Sequence, residues 1–344
     1  MTSQPRWNRT SLTIDQLCET TNVKDSTLVA FVDTAIIALP TSFAERKRLS
    51  LAFHIPTQFW TNLCEDAGGF YSAYEHRSTQ DQGHCYRQAF RFLTKQCITS
   101  VATDDPSHLA YRWDKLGFVI YWQSCGNLAV LCFDAPEVLK QDIRDHLVDY
   151  EAISSGHSAF SFNPLLLMCV TRRFDMAVWS WRDVVRNIEK TRSIKSSLST
   201  NSFEHMHETA RHVVHCSELL ETARSVIDSM SKDFGESTTQ TSLPNAIAVK
   251  KDIDFCGSLL TSLLHRSQSL EKRLQNEINL AIHLDAQHNG HVTSHIAELA
   301  QRDGEITKGI SVLGMVFLPG TFVSVRHLHI PVPLTWTEQQ AGNL

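Results

Sequence analysis

The feature that most constrains this chain is a long apolar stripe near its C-terminal end. Phe255, Leu259, Leu263, Leu270, Leu274, Ile278, Ala281 and Leu284 recur at helical spacing, and Val292, Ile296 and Leu299 continue the stripe more weakly. The stripe runs into Ile310 to Val325 (ISVLGMVFLPGTFVSV), a charge-free stretch of 16 residues that contains Pro319-Gly320. Unbroken from Asp252 to Val325, such a helix is roughly 110 Å long at about 1.5 Å per residue. Gly290 and Gly304 oppose continuity, because each costs about 1 kcal/mol against Ala inside a helix.

The apolar stretch has two readings. It is shorter than the roughly 20 residues needed to cross about 30 Å of hydrocarbon. Lys308 before it can snorkel, and Ile306, Leu328 and Ile330 can lengthen it. Pro319-Gly320 weakens a soluble helix, whereas neighbouring membrane helices can satisfy the backbone groups it frees. The alternative is a buried C-terminal helix of a soluble domain. Thr307, Ser311, Gly314 and Thr321 share one face and could meet a pore or another helix; small residues at helix contacts are the commoner use.

The remainder of the chain is ordinary for a globular protein. Its 344 residues suffice for one large core or two domains. A net charge of −5 without a basic patch argues against nucleic acid. Nine cysteines are scattered without CxxC spacing and read as free thiols in a reducing compartment. The N-terminus lacks the apolar core of a secretory signal, which points to a cytosolic bulk.

Residues 1–25 are polar and expected to be frayed. Ser26 to Leu39 is an apolar run that fits a strand or buried segment. His54 to Trp60 reads as a turn into a short helix ended by Gly68-Gly69, and Ala89 to Ile98 is strand-like. Gly117 to Gln123 and Leu128 to Phe133 form a β-hairpin pattern around Ser124 to Asn127. Helix dominates from Asn163, with a second helix over 203–231 and a polar linker at Ser237 to Asn245. The fold class is therefore α+β. The expected organisation is a mixed head over 26–160, a helical body over 161–250, a stalk helix over 251–309, a membrane-span-like segment over 310–325 and an irregular polar tail over 326–344.

One helix face carries metal-ligand chemistry. His205, Glu208, His212 and His215 lie at i, i+3, i+7 and i+10. They spread over roughly 15 Å, too far for one ion, and His207-Glu208-Thr209-Ala210 is followed by Arg211 where a zinc hydrolase needs His. A polar helix face is the simpler reading. Trp179, Trp181, Arg182 and Asp183 read as helix packing and an ion pair, and Arg273 pairs with Glu277 at i, i+4. No phosphate loop, nucleophile elbow or catalytic carboxylate pair stands out, so no enzyme is expected.

Several stretches in order resemble the CorA-like divalent-cation transporter proteins of filamentous fungi. These are Gly117 to Pro136; Phe174 to Asp183 with Val185 to Lys190; Met206 to His212 with His215; Arg273 to Ala281; Ile296 to Asp303; and Phe317 to Val323. The resemblance covers about residues 50–325. It implies a cytoplasmic head and stalk, a stalk helix that becomes the first membrane span, and self-association as a pentamer in membrane lipid. It also implies a hydrated cation such as magnesium as cargo, with no cofactor. The family holds that cation at a Gly-Met-Asn loop between two spans, where oxygen ligands suit a hard ion. This sequence departs from the pattern after Ser324. Residues 325–333 contain no Gly-Met-Asn, no second apolar run precedes Leu344, and Gly314-Met315 is followed by Val316. No metal-selecting residue carries over, and the expectation is a chain incomplete as a pore on its own. The alternative expectation is a truncated, non-transporting module, soluble in the cytoplasm or peripheral, that co-assembles with full-length homologues through its helices.

Overall fold

The computed structural model describes residues 7–22, 26–33, 43–77, 84–98, 109–149, 158–191, 200–237 and 245–327. The chain divides into two compact units, Met1–Ala281 and Ile282–Leu344. The fold is α+β, as its alternation and helical periodicities imply.

The first unit is built on a five-stranded sheet in the order β1-β5-β4-β3-β2. The strands are β1 (Thr27–Val32), β2 (Gly69–Arg77), β3 (His84–Cys97), β4 (Tyr111–Gln123) and β5 (Leu128–Phe133). β1 lies parallel to β5, and the other pairs are antiparallel. β4 and β5 form the expected hairpin, with Val119 opposite Leu131. Gly126 takes the left-handed φ of 91° that its turn requires and donates its N–H to the Gln123 carbonyl at 3.0 Å.

Strand parity separates two cores. Phe118, Ile120, Val130 and Cys132 point to the larger one, filled by helices. Val119, Tyr121, Leu131 and Phe133 point to a smaller one. Apolar residues on both faces explain why β4 and β5 read as continuous hydrophobic runs. The smaller core is covered by α1 (Ile14–Glu19), α2 (Phe43–Ala52) and a 3₁₀ turn at Thr57–Trp60, through Leu17, Leu49, Phe53 and Phe59. Short α3 (Asn62–Glu65) then leads into β2. α1 falls in the stretch expected to be frayed. Its capping box forms between Thr13 and Gln16, with Gln16 N–H to Thr13 Oγ1 at 3.3 Å and Thr13 N–H to Gln16 Oε1 at 2.9 Å.

The larger core is covered by α4 (Glu137–Asp149), α5 (Asn163–Thr191), α6 (Thr200–Glu236) and the start of α7 (Ala246–His327). Trp181 and Phe174 of α5 are fully buried there, as the helical periodicity of that segment predicts. Each such aromatic stabilises the fold by about 1.5–3 kcal/mol through burial alone. Two polar networks cross this core. Asn163 Nδ2 donates to Gln88 Oε1 at 2.7 Å, and Gln88 Nε2 donates to the Ala159 carbonyl at 2.7 Å. Arg173 reaches Asp114 Oδ2 at 2.8 Å and Gln96 Oε1 at 2.9 Å, while Arg112 holds the other Asp114 oxygen at 2.8 Å.

Arg273 adds a partner on another helix, Glu189, to its expected neighbour Glu277, and both raise its pKa. Its guanidinium reaches Glu189 on α5, with Nε to Oε1 at 2.8 Å and Nη2 on the second oxygen, a forked pair that i, i+4 geometry with Glu277 does not match. The expected linker over 237–245 and the tail from 328 lie largely outside the described residues.

Candidate functional site

Residues 310–325, expected to resemble a membrane span, lie within α7. α7 continues through Gly290, Gly304 and Pro319-Gly320 as a helix. Among the described residues, no helix is long and apolar enough to cross a membrane. The span-like expectation is therefore without support from the helix itself. The apolar run is 16 residues where roughly 20 are needed, with Glu305 and Lys308 directly ahead of it.

What this part of α7 does present is a seam. Val292, Ile296, Leu299, Asp303, Ile306, Ile310, Leu313 and Phe317 follow one another at alternating steps of four and three residues. That 3.5-residue period is the signature of a coiled-coil contact line, with Asp303 as its polar interruption. Its apolar members are exposed, from 44% at Val292 to 67% at Ile310. Thr307, Ser311 and Gly314 line one flank of the seam. Thr307 Oγ1 donates to the Asp303 carbonyl and Ser311 Oγ to the Thr307 carbonyl, both at 2.8 Å. Both hydroxyls are thus spent on their own helix. Nothing lies within 4 Å of a Cβ built on Gly314, which leaves its flank open to close approach. The Thr321 side chain lies outside the described residues.

The histidine face of α6 meets the edge of the sheet at Lys95 of β3. Lys95 is 3% exposed, and its ammonium sits 4.2 Å from the Tyr111 ring centroid and 4.6 Å from that of Trp113. Lys95 Nζ lies 3.2 Å from His215 Nδ1. The Lys95 carbonyl accepts from Trp181 Nε1 at 2.8 Å, which ties the lysine to α5. His212, 1% exposed, is enclosed between Tyr111 and Trp181, with ring centroids at 4.6 and 4.8 Å. Its Nε2 lies 3.0 Å from Glu208 Oε1 without hydrogen-bond geometry. Glu208 also pairs with Arg211.

Electrostatics follow from this enclosure. Burial, then Arg211, pushes the Lys95 amine down to about 8, with Glu208 opposing. Burial and the nearby Lys95 charge push His212 down to about 4. His215 is lowered by burial and by Lys95, and His205 by burial. Burial works against ionisation of Glu208, yet Arg211 and His212 hold its carboxyl below the usual range.

This arrangement is poor for a cation. Of His205, Glu208, His212 and His215, only Glu208 and His212 are brought within 3.0 Å, while His215 faces a lysine. Among the described residues, no three His, Cys, Asp or Glu side chains are placed to hold one metal ion. Cation–π enclosure makes Lys95 the centre of the cluster. Tyr111, Trp113 and Lys95 carry no motif spacing. Their only sequence signal is the aromatic alternation of β4 opposite a lysine, and it becomes readable once the β3/β4 register pairs Lys95 with Trp113.

No family model matches the chain. Over 187 residues, 49% of this chain, it is 31% identical to the notoamide biosynthesis cluster protein M′ of Aspergillus versicolor, and the match spans 39% of that protein's length. Among solved structures it is similar to the CorA magnesium transporter of Methanocaldococcus jannaschii, with a TM-score of 0.48, 10% identity, and 84% of this chain and 78% of that one covered. It is also similar to the ZntB cytoplasmic domain from Vibrio parahaemolyticus, with a TM-score of 0.43, 12% identity, and 70% and 83% covered. Against the full-length CmaX protein the TM-score is 0.45 at 11% identity, with 88% and 77% covered.

Proposed function

We propose that the chain is a CorA-like homologue of divalent-cation transporters that assembles with copies of itself along α7. The exposed seam from Val292 to Phe317 carries this reading. Seven large apolar residues held in water on one line of a helix are costly unless another helix covers them. A 3.5-residue period suits a parallel or antiparallel partner of the same kind, and Asp303 in the line suits a fixed register. The ordered resemblance over residues 50–325 supports the same reading, and so does a helix that runs without interruption into the apolar 310–325 stretch.

In this account the end of α7 engages membrane lipid or the same helix of another copy. The cargo is a divalent cation of the magnesium type, by resemblance. No residue is assigned to ion selection, because Val316 stands where a Gly-Met-Asn sequence needs Asn. Such a chain contributes its α7 helix to an assembly. Fractionation of cells expressing the chain tests membrane engagement. It is expected in the membrane fraction and to need detergent for release, whereas quantitative recovery in the soluble fraction without detergent contradicts it.

A second reading, a non-transporting interaction module, is favoured by the shortness of the apolar stretch. The same fractionation separates the two, because an interaction module is recovered without detergent.

A further inference from the structure

On the smaller-core side of the sheet, β3 carries a cation that no carboxylate among the described residues neutralises. Arg87 is 6% exposed. Its Nη1 contacts the Ser72 hydroxyl at 3.2 Å and the Ser72 carbonyl at 3.4 Å, and its Nε is buried with no hydrogen-bond partner. Tyr74 lies under the guanidinium at 5.7 Å. Among the described residues no carboxylate pairs with Arg87. A buried guanidinium held by two long contacts and one aromatic face is undercompensated, because desolvation of a charge normally demands a counter-charge.

Two more basic groups gather at the same spot. His54 stacks on Tyr74 at 6.3 Å and leans on Tyr121 at 5.5 Å. His76 stacks on the Tyr74 ring at 6.2 Å, nearly parallel. The register explains the gathering, since Tyr74 and Tyr121 flank Arg87 on the neighbouring strands and His76 sits one pair further along, opposite Cys85. His54, His76 and Tyr74 are exposed, so the cluster opens to solvent above a buried arginine. His54 adopts a left-handed φ of 50°, an uncommon conformation for a residue with a Cβ, at the end of the turn that carries it over the strands.

We propose that Arg87, His54 and His76 form a binding site for a phosphate-type oxyanion, with Tyr74 and Tyr121 as its aromatic walls. The guanidinium supplies the charge-assisted donor and the two imidazoles supply further donors once protonated. Burial, His76 and Arg87 all lower His54 in the free protein. A bound oxyanion reverses the sign of the local field, so binding draws a proton onto His54. The groups that face His54 are Tyr74 and His76 of β2, Arg87 of β3 and Tyr121 of β4. Glu75 is engaged with His84, 2.7 Å away.

The test is calorimetric titration of the full chain, in detergent if it is membrane-bound, with inorganic phosphate and separately with adenosine monophosphate. Titrations at pH 6 and pH 8 are made in two buffers of different ionisation heat. Saturable binding is expected to be at least fivefold tighter at pH 6, with proton uptake visible as a buffer-dependent heat. Tighter adenosine monophosphate than phosphate assigns the site to nucleotides, through stacking on Tyr74 or His76, and the reverse order assigns it to the free ion. The surface variant His54→Asn with His76→Asn is expected to lose proton uptake and at least fivefold in affinity while keeping its fold. Arg87→Met should abolish binding, and if it does not fold, Arg87→Lys should weaken it by removing the fork. No saturable binding of either probe at millimolar concentration, or equal affinity in the double histidine variant, overturns the proposal.

Discussion

The Lys95 cluster makes pH dependence a residue-scale property. His212 titrates near 4 in the fold, below the usual imidazole value. Between that value and about 6.5 the unfolded chain binds more protons than the folded one. Its contribution to stability is therefore fully present above pH 6.5 and is lost as pH falls toward 4. Denaturant midpoints measured from pH 7 to pH 4 should drop steeply in the wild-type chain and less in His212→Gln. A parallel slope in the two chains would show that His212 does not titrate with folding. Lys95 acts with the same sign in a different window. Its amine is pushed down to about 8, so stability rises as pH climbs from 8 toward the unfolded value. The sequence places His205, Glu208, His212 and His215 on one face, too far apart along it for a single shared ion. It gives no sign that a lysine from a distant strand sits among them, because that contact depends on the β3/β4 register and on α6 packing over it.

Elements were legible in proportion to the regularity of their pattern. The β4–β5 hairpin and helices α5, α6 and α7 follow directly from apolar runs, turn residues and 3.6-residue periodicity. β2 escaped, since GFYSAYEHR has too few apolar positions to announce a strand and forms by pairing with β3 from Gly69 to Arg77. Gly69 permits that pairing. A Cβ there would lie 2.9 Å from the Arg91 carbonyl oxygen and 3.2 Å from Val226 Cγ2. Gly69→Ala should therefore cost about 1–3 kcal/mol through overpacking. Gly290→Ala, in α7 with nothing within 4 Å, should instead raise stability by about 0.5–1 kcal/mol. Thermal denaturation of both variants checks the pair, and shifts of the same sign would contradict it. Arg273 shows the limit of reasoning along one helix. Its fork found Glu189 on α5, which i, i+4 spacing cannot reveal.

At the scale of the molecule, the chain joins a sheet-and-helix unit, Met1–Ala281, to a second unit in which α7 exposes its apolar seam. Among the described residues the apolar members of the seam stay exposed. The proposed assembly covers them with the same seam of another copy. The most direct test is the light-scattering mass of the chain as extracted in mild detergent, compared with a variant carrying Leu299→Lys, Ile306→Lys and Leu313→Lys. Assembly along α7 makes the wild-type mass a multiple of 38.9 kDa and the variant a folded single chain. A wild-type chain that remains a monomer at micromolar concentration, or a variant that keeps the wild-type mass, would contradict assembly along α7.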